Sequence, residues 1–306
     1  LTKYQSYSDL FDPRCKDFTA AFGVLSAEKL FMLGAAKQFV LFVTSDYVFA
    51  RSAARQLNET LGGYVYLPFF DDVLLFKHGV NNASLRERNL ALAEILTKAK
   101  GAVVCADALT QTYPDKAEFE KGIFVIRRGG ETPLSALPAR LAKIGYRRVD
   151  AVGVAGEFAV RGDIVDLFLP EYPDPVRVSF FDDTVESIKF FGADLAGKEE
   201  IPAVTVVPLG AGEDSGALEK AVKSAAKQKL DGNARARLNA ILSEAAGSGW
   251  LAPFCKQSLL TEYLPADAVV VWDEPKLITS KLNRIYADHS ERFGRLLGAG
   301  EVLPEH

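Results

Sequence analysis

The chain has 306 residues, of which 48% are hydrophobic and 25% are charged, and its formal net charge is −4. This length suffices for two domains, and the composition is that of a globular protein. No apolar run approaches the roughly 18 residues that span a membrane, and no signal peptide is recognisable. These absences predict a cytoplasmic protein. The acidic balance disfavours a domain that binds nucleic acid by itself, so we expect protein partners.

The first third of the chain predicts alternating helices and strands. Helices are expected over residues 27–38, 47–61 and 85–98, and strands over 39–45, 64–69 and 102–106. Two of the strand segments are continuously apolar, which is typical of strands buried on both faces. The alternation therefore predicts an α/β fold with a mostly parallel sheet and helices on both of its faces.

A degenerate phosphate-binding loop occurs near the start of this region. Gly23 and Lys29 have the spacing of the first glycine and the lysine in the P-loop pattern G-x-x-x-x-G-K-[ST]. Glu28 replaces the second glycine, so a carboxylate stands where backbone must approach phosphate. Leu30 replaces the Ser or Thr that would bind Mg²⁺. Two of the positions that the chemistry needs are therefore missing.

A second fragment of a nucleotide site occurs late in the chain. An apolar strand expected over 268–272 ends in Asp273 and Glu274, as a Walker B strand does. In one interpretation the segment is a structural relic, in which Asp273 caps the helix that Pro275 opens. The alternative is functional ATP binding, but a metal-binding aspartate is of little use without the phosphate cradle.

The dispersed cysteines and histidines argue against a metal centre and a disulfide framework. These residues are Cys15, Cys105, Cys255, His78, His289 and His306. The cysteines are odd in number and lack C-x-x-C spacing, which favours reduced thiols. We therefore expect no metal and no other cofactor.

The middle of the chain changes character. Residues 122–208 contain short alternating strands linked by turns, which predicts an antiparallel sheet, with one helix over 133–145. Later helices are expected over 217–229, 233–246 and 276–297. We predict three segments: 1–121 as the first part of the α/β domain, 122–208 as an inserted small α+β domain, and 209–306 as the second part of the α/β domain.

Two strand segments of the inserted domain carry unusual residues on their outer face. The segments are GEFAVRGDIVDLF at 156–168 and VRVSFF at 176–181, each expected as a single strand. Alternation assigns to the core Phe158, Val160, Ile164, Phe168, Val176, Val178 and Phe180. The same alternation turns Arg161, Arg177 and Phe181 outward.

An exposed phenylalanine between arginines has the composition of a protein–protein hot spot, in which an aromatic anchor is combined with planar cations. The alternative is structural. In that case both arginines pair with Asp163, Glu157 or Asp182 across the strands, and another element covers Phe181.

These segments carry a resemblance to a known family. Residues 145–191 are similar to the region shared by bacterial transcription-repair coupling factors and the excision-repair protein UvrB. The shared patterns are G-E-F-x-V-R-G-[GD]-I-x-D-x-F and P-V-R-[VI]-x-F-F. Residues 260–275 also resemble both families. UvrB has an intact P-loop and an aromatic DNA-clamping hairpin, whereas this chain has YLPFFDDVLLF at 66–76, closer to the coupling factors.

The resemblance implies the N-terminal UvrB-like module of a coupling factor. It implies a degenerate P-loop, helicase-like sheet domain with an inserted α+β domain, whose sheet binds UvrA through Arg161, Arg177 and Phe181. The expected function is non-catalytic: UvrA recruitment to stalled transcription complexes. Other partners would be further domains of a longer parent, with RNA polymerase and DNA contacted through them, since the chain begins without Met and is expected to be a fragment. The alternative is a UvrB-like, nucleotide-dependent DNA-processing enzyme.

Overall fold

The computed structural model of the chain describes residues 26–70, 82–192, 197–209, 216–245 and 249–306. Gly23 of the predicted phosphate loop, Cys15, His78 and part of the 66–76 segment lie outside these ranges. The chain divides into two compact units. The first unit comprises residues 1–70, 94–111 and 259–289, and the second comprises 71–93, 112–258 and 290–306.

The described helices are α1 (Ser26–Leu33), α2 (Tyr47–Thr60), α3 (Asn82–Thr97), α4 (Ala106–Leu109), α5 (Lys116–Gly122), α6 (Leu137–Lys143), α7 (Ala217–Lys227), α8 (Gly232–Glu244), α9 (Leu260–Tyr263), α10 (Pro275–Gly298) and a 3₁₀ helix (Gly249–Phe254). The described strands are β1 (Val40–Thr44), β2 (Tyr64–Tyr66), β3 (Gly101–Cys105), β4 (Tyr113–Pro114), β5 (Phe124–Arg127), β6 (Arg147–Arg148), β7 (Glu157–Arg161), β8 (Ile164–Leu167), β9 (Val176–Phe181), β10 (Thr184–Phe191), β11 (Gly197–Glu200), β12 (Ala203–Val206), β13 (Gln257–Ser258) and β14 (Val269–Trp272).

A parallel sheet forms the centre of the first unit, with the strand order β14–β1–β3–β2. Every residue of β1 and β3 is buried, which explains why these segments are apolar without alternation. α2 begins after Asp46, whose carboxylate accepts a hydrogen bond from the amide of Phe49. Its buried alanines pack in the same apolar cluster as Phe42 and Val103. The predicted parallel sheet is confirmed.

A six-stranded sheet dominates the second unit, with the order β11–β10–β9–β8–β7–β6. Neighbouring strands from β7 to β11 are antiparallel, whereas β6 pairs in parallel with β7. Two separate antiparallel pairs, β5–β12 and β4–β13, complete the strand pairing described for this unit. The predicted antiparallel sheet is present, and α6 packs on one of its faces through Leu137 and Leu141.

The 156–168 segment is a hairpin and not the single strand that alternation predicts. β7 ends at Arg161, Gly162 and Asp163 form the turn, and β8 begins at Ile164, directly opposite Arg161. Gly162 has φ +62°, which a residue without Cβ adopts at little cost. Because the turn takes up two residues, the positions that face the core change from even to odd numbers after it. Ile164 therefore shares a face with Arg161, and Val165 points into the core.

The helix predicted over 133–145 is also shorter than expected. Residues 134–136 form a turn, and α6 spans only Leu137–Lys143. The amide of Leu134 donates a hydrogen bond to the carboxylate of Asp183, and the amide of Thr132 donates to the carbonyl of Asp183. These bonds tie the segment to the β9–β10 turn.

Within the described ranges, the chain contains no helix with the length and apolar character needed to cross a bilayer.

Candidate functional site

The outer face of the six-stranded sheet brings together the three residues that the sequence singled out. The register places Arg161 opposite Ile164, and Ile164 opposite Ser179. It places Asp166 opposite Arg177, in the adjacent row on the same face. Phe181 lies two residues beyond Ser179 on β9, so its side chain leaves the sheet on that face as well.

Phe181 is an exposed aromatic residue at the end of β9. Its exposed fraction is 67%, whereas that of its neighbour Phe180 is 1%. Phe180 packs in the core of the second unit with residues such as Val178. Asp182 follows with φ +53° and turns the chain into β10. The hairpin therefore presents the Phe181 ring to solvent on an ordered strand end, and nothing in the described chain covers most of it.

The guanidinium of Arg177 is fixed by contacts with two neighbouring side chains. Its Nε and Nη2 donate to the two carboxylate oxygens of Asp166 at 2.7 and 2.9 Å, a bidentate geometry. The guanidinium carbon also lies 4.7 Å from the centre of the Phe191 ring. The hydrogen bond to Asp166 raises the pKa of Arg177 above its ordinary value. Only 28% of the Arg177 side chain is exposed, and the Asp166 side chain is 5% exposed.

Arg161 is exposed and is held by a neutral group. Its Nη2 donates to the backbone carbonyl of Asp150 at 2.5 Å, in the loop that precedes β7. Within the part of the chain that the structure describes, no carboxylate lies within 4.0 Å of its guanidinium. Its positive charge is therefore not compensated by a neighbouring side chain.

The predicted alternative ion pairs are replaced by other contacts. Glu157 accepts hydrogen bonds from the amides of Gly153 and Val154 and from the guanidinium of Arg147. These bonds, led by the one from Gly153, lower the pKa of Glu157. Glu157 thus organises the loop before β7, and the carboxylate that Arg177 contacts is Asp166.

Between the arginines, the face is lined by small or half-buried side chains. Ala159 lies opposite Asp166, and Ser179 lies between Ile164 and Ser187 in the cross-strand order. Ala159 is 1% exposed, so the accessible part of the face runs through the half-buried Ile164 and Ser179 and is flanked by Arg161, Arg177 and Phe181. A surface of this form can accept a flat protein element, with the aromatic and cationic groups as anchors.

Residues that the sequence analysis assigned to a degenerate nucleotide site meet in the first unit. The ammonium of Lys29, on α1, lies 2.7 Å from Asp273 Oδ1 and 3.1 Å from Glu274 Oε1, at the end of β14. The hydrogen bond to Asp273 is the main cause of a raised pKa for Lys29. Glu28 is exposed, and Leu30 packs against the core cluster of this unit. The lysine that would meet phosphate in a P-loop is thus paired with the acidic residues that would meet Mg²⁺.

The described residues offer no evident metal site, and the thiol of Cys105 is unreactive. No group of three or more His, Cys, Asp or Glu side chains in the described ranges could hold a metal ion. Cys105 is buried, and its thiol donates a hydrogen bond to Asp107 at 2.7 Å. Burial, reinforced by Asp107, raises the pKa of Cys105 to about 12, so this thiol stays protonated at neutral pH.

Comparison with known protein families gives a match for the region that contains the outer face. Residues 124–210 match the family described as the UvrB interaction domain. All three singled-out residues, Arg161, Arg177 and Phe181, lie within this domain.

The chain is similar to two groups of proteins. It is 25% identical over 291 residues to a Transcription-repair-coupling factor of Bacillus subtilis strain 168, an alignment covering 86% of this chain and 24% of that protein. It is 42% identical over 81 residues to the coupling factor of Mycobacterium bovis, covering 26% and 6%. It is 27% identical over 267 residues to the UvrABC system protein B of Cupriavidus pinatubonensis, covering 76% and 38%.

These similarities confirm the resemblance to coupling factors and UvrB that the motifs indicated. The chain spans about a quarter of the length of the Bacillus coupling factor that it matches.

Two contacts within the UvrB interaction domain were missed by sequence reasoning. Treating 156–168 as one strand put Asp166 on the core parity, so it was not considered as a partner of Arg177. The signal that could have found it is the Gly-Asp pair at 162–163, a common two-residue hairpin loop. The stacking of Arg177 on Phe191 had no comparable signal, because the β9–β10 register shifts between Val185 and Ser187.

Proposed function

We propose that this chain is the non-catalytic, N-terminal UvrB-like module of a transcription-repair coupling factor. It binds UvrA through the outer face of its UvrB interaction domain and thereby recruits nucleotide excision repair to stalled transcription complexes. The observation that carries the proposal is that Arg161, Arg177 and Phe181 border one face within residues 124–210. Aromatic residues and arginines are the residue types that most often carry the binding free energy of an interface.

The proposal assigns no ATPase activity to this chain. Glu28 and Leu30 replace the residues that cradle phosphate and bind Mg²⁺, and Lys29 already has two carboxylate partners. A nucleotide would have to break these pairs and would find no Mg²⁺ ligand at position 30. These features disfavour the alternative of a UvrB-like DNA-processing enzyme.

The setting of the module is part of the same proposal. The predicted segments 1–121, 122–208 and 209–306 describe a degenerate P-loop domain with an inserted α+β domain. RNA polymerase and DNA would be contacted by other domains of a longer parent protein, and the module would act in the cytoplasm. Neither a metal nor another cofactor is needed for protein recruitment.

The test is binding of the 306-residue chain to purified UvrA from the same organism, measured by calorimetry. We expect saturable binding that Arg161→Glu weakens more than Arg161→Ala, because the glutamate adds repulsion to the loss of a donor. Arg148→Glu is the matched control, since it makes the same charge change at an exposed position. Arg148 pairs in register with the core residue Phe158, so it lies on the opposite side of the sheet.

Two results would contradict the proposal. The first is the absence of UvrA binding by the folded parent chain. The second is an equal loss of affinity in Arg148→Glu and Arg161→Glu, which would show that overall charge and not this face governs binding.

A further inference from the structure

The two arginines of the outer face are held in different ways. Both available oxygens of Asp166 accept from one edge of the Arg177 guanidinium, and the Phe191 ring supports one of its planar faces. Arg161 makes one hydrogen bond, to the carbonyl oxygen of Asp150. The two side chains therefore differ in charge compensation and in freedom of movement, although their residue type is the same.

This difference has consequences for binding. Asp166 is 4% exposed, so its charge is poorly screened by water and offsets that of Arg177 at close range. The bidentate contact also limits the rotamers of Arg177 before any partner arrives, which reduces the entropy that binding would cost. Arg177 still offers Nη1 and its free planar face to a partner. Arg161 keeps a full, exposed positive charge, which is attracted to a carboxylate over a longer range.

We propose that Asp166 is a positioning residue of the UvrA-binding face. It holds Arg177 as an oriented, charge-compensated donor, while Arg161 supplies the net charge that meets a carboxylate of the partner. This inference rests on the proposed function, because it concerns how the same face recognises UvrA. It goes further in assigning the two arginines separate tasks and in adding a residue that need not touch the partner.

The experiment measures UvrA binding by Asp166→Ala and Asp166→Asn in the 306-residue chain. We expect Asp166→Ala to weaken binding by about three- to tenfold, the effect of losing the order of one long side chain. The Arg177→Ala variant should be at least as weak, and the double variant should be no weaker than Arg177→Ala alone. Such non-additivity is the signature of a residue that acts through another.

Asp163→Ala is the matched control. Asp163 is an exposed carboxylate in the β7–β8 turn, close along the chain to Asp166, and its removal changes the net charge by the same amount. We expect it to leave the affinity near that of the parent. If Asp163→Ala and Asp166→Ala change the affinity alike, the effect is one of overall charge and the positioning role is refuted.

The salt dependence of binding separates positioning from a merely structural role. We expect Arg161→Ala to flatten the plot of affinity against salt concentration, because it removes the uncompensated charge. The Arg177→Ala/Asp166→Ala double variant, which removes both members of the neutral pair, should lower affinity with little change in slope. Asp166→Asn retains the side-chain volume and one acceptor but unmasks the charge of Arg177, so it should steepen the slope.

The outcomes are distinct from those that test the proposed function. If the parent chain does not bind UvrA, the proposed function fails. If the parent binds, the positioning role is overturned by a folded Asp166→Ala variant with parental affinity, by additive losses in the double variant, or by equal flattening of the slope in Arg161→Ala and in the double variant. Should Asp166→Ala fail to fold, the nearly isosteric Asp166→Asn decides: an unchanged slope overturns the proposal and a steeper one supports it.

Discussion

Phe180 and Phe181 are adjacent in β9, yet one is 1% exposed and the other is 67% exposed. Successive side chains of a strand point to opposite faces, so this pair separates the core of the second unit from its outer surface within one peptide bond. The two residues therefore offer a comparison in which the chemical change is the same and the environment differs.

Truncating the exposed ring should affect binding and not stability. We expect Phe181→Ala to weaken UvrA binding by about 1–3 kcal/mol, the scale of an interface hot spot. The free energy of unfolding of the Phe181→Ala variant should change by no more than about 0.5 kcal/mol, because the exposed ring makes few contacts within the fold. Phe180→Ala should instead cost about 3–5 kcal/mol of stability, since it opens a cavity. Calorimetry and urea unfolding separate the two effects, and the reverse assignment would mean that the strand register is shifted by one residue.

Removing Arg177 should destabilise the fold as well as weaken binding. Arg177→Ala leaves the carboxylate of Asp166 almost fully buried without its main partner, which we expect to cost about 1–3 kcal/mol in the free energy of unfolding. Arg161→Ala is the comparison, because this exposed side chain loses one hydrogen bond and should change stability by less than about 1 kcal/mol. Equal stability of the two variants in urea unfolding would argue against a structural role for the Arg177–Asp166 pair.

The Lys29 ion pairs should make the first unit sensitive to alkaline pH but not to nucleotide. The raised pKa of Lys29 means that its contribution to stability is present below the unfolded value of 10.5 and is lost as the pH rises through the folded value. The partly exposed pairs should contribute about 1 kcal/mol or less. We expect Lys29→Met to reduce this alkaline sensitivity, and thermal unfolding between pH 8 and about 11 measures it.

The same variant serves as the nucleotide control. At millimolar ATP with Mg²⁺ we expect no ATP hydrolysis above that of Lys29→Met and no rise in the melting temperature, because ligand binding to the native state would raise it. Turnover by the parent chain well above the variant would support the enzymatic alternative.

The ring of His306 should make the second unit less stable in mild acid. His306 Nδ1 accepts from the amide of Leu303 at 3.2 Å, its Nε2 lies 3.0 Å from the carbonyl oxygen of Trp250, and its ring packs on Trp250. Burial lowers the pKa of His306. Its neutral form is therefore favoured by folding, so this stability is present above the unfolded value of 6.5 and is lost as the pH falls through the lower, folded value.

Trp250 fluorescence during urea unfolding at pH 7.5 and at about 5.5 measures this effect. We expect the stability of the His306→Asn variant to depend less on pH than that of the parent. Identical pH profiles of the parent and His306→Asn would show that the ring does not couple protonation to folding.

The sequence by itself determined the main elements and the outward direction of the three face residues. Continuous apolar runs are sufficient to predict buried parallel strands, and β1 and β3 lie within one residue of the predicted ranges 39–45 and 102–106. The strict alternation in VRVSFF was sufficient to separate Phe180 from Phe181, because a strand has a side-chain period of two. The missing P-loop residues were likewise visible directly at positions 28 and 30.

Only the tertiary structure decided which side chains meet across the strands. The hairpin turn at Gly162 and Asp163 reverses the chain direction, and the pairing of β8 with β9 then places Asp166 opposite Arg177. Lys29 and Asp273 meet across 244 positions of sequence because α1 and the end of β14 are neighbours in the first unit. Such contacts depend on register and strand order, which are set by the packing of the whole sheet and not by local sequence patterns.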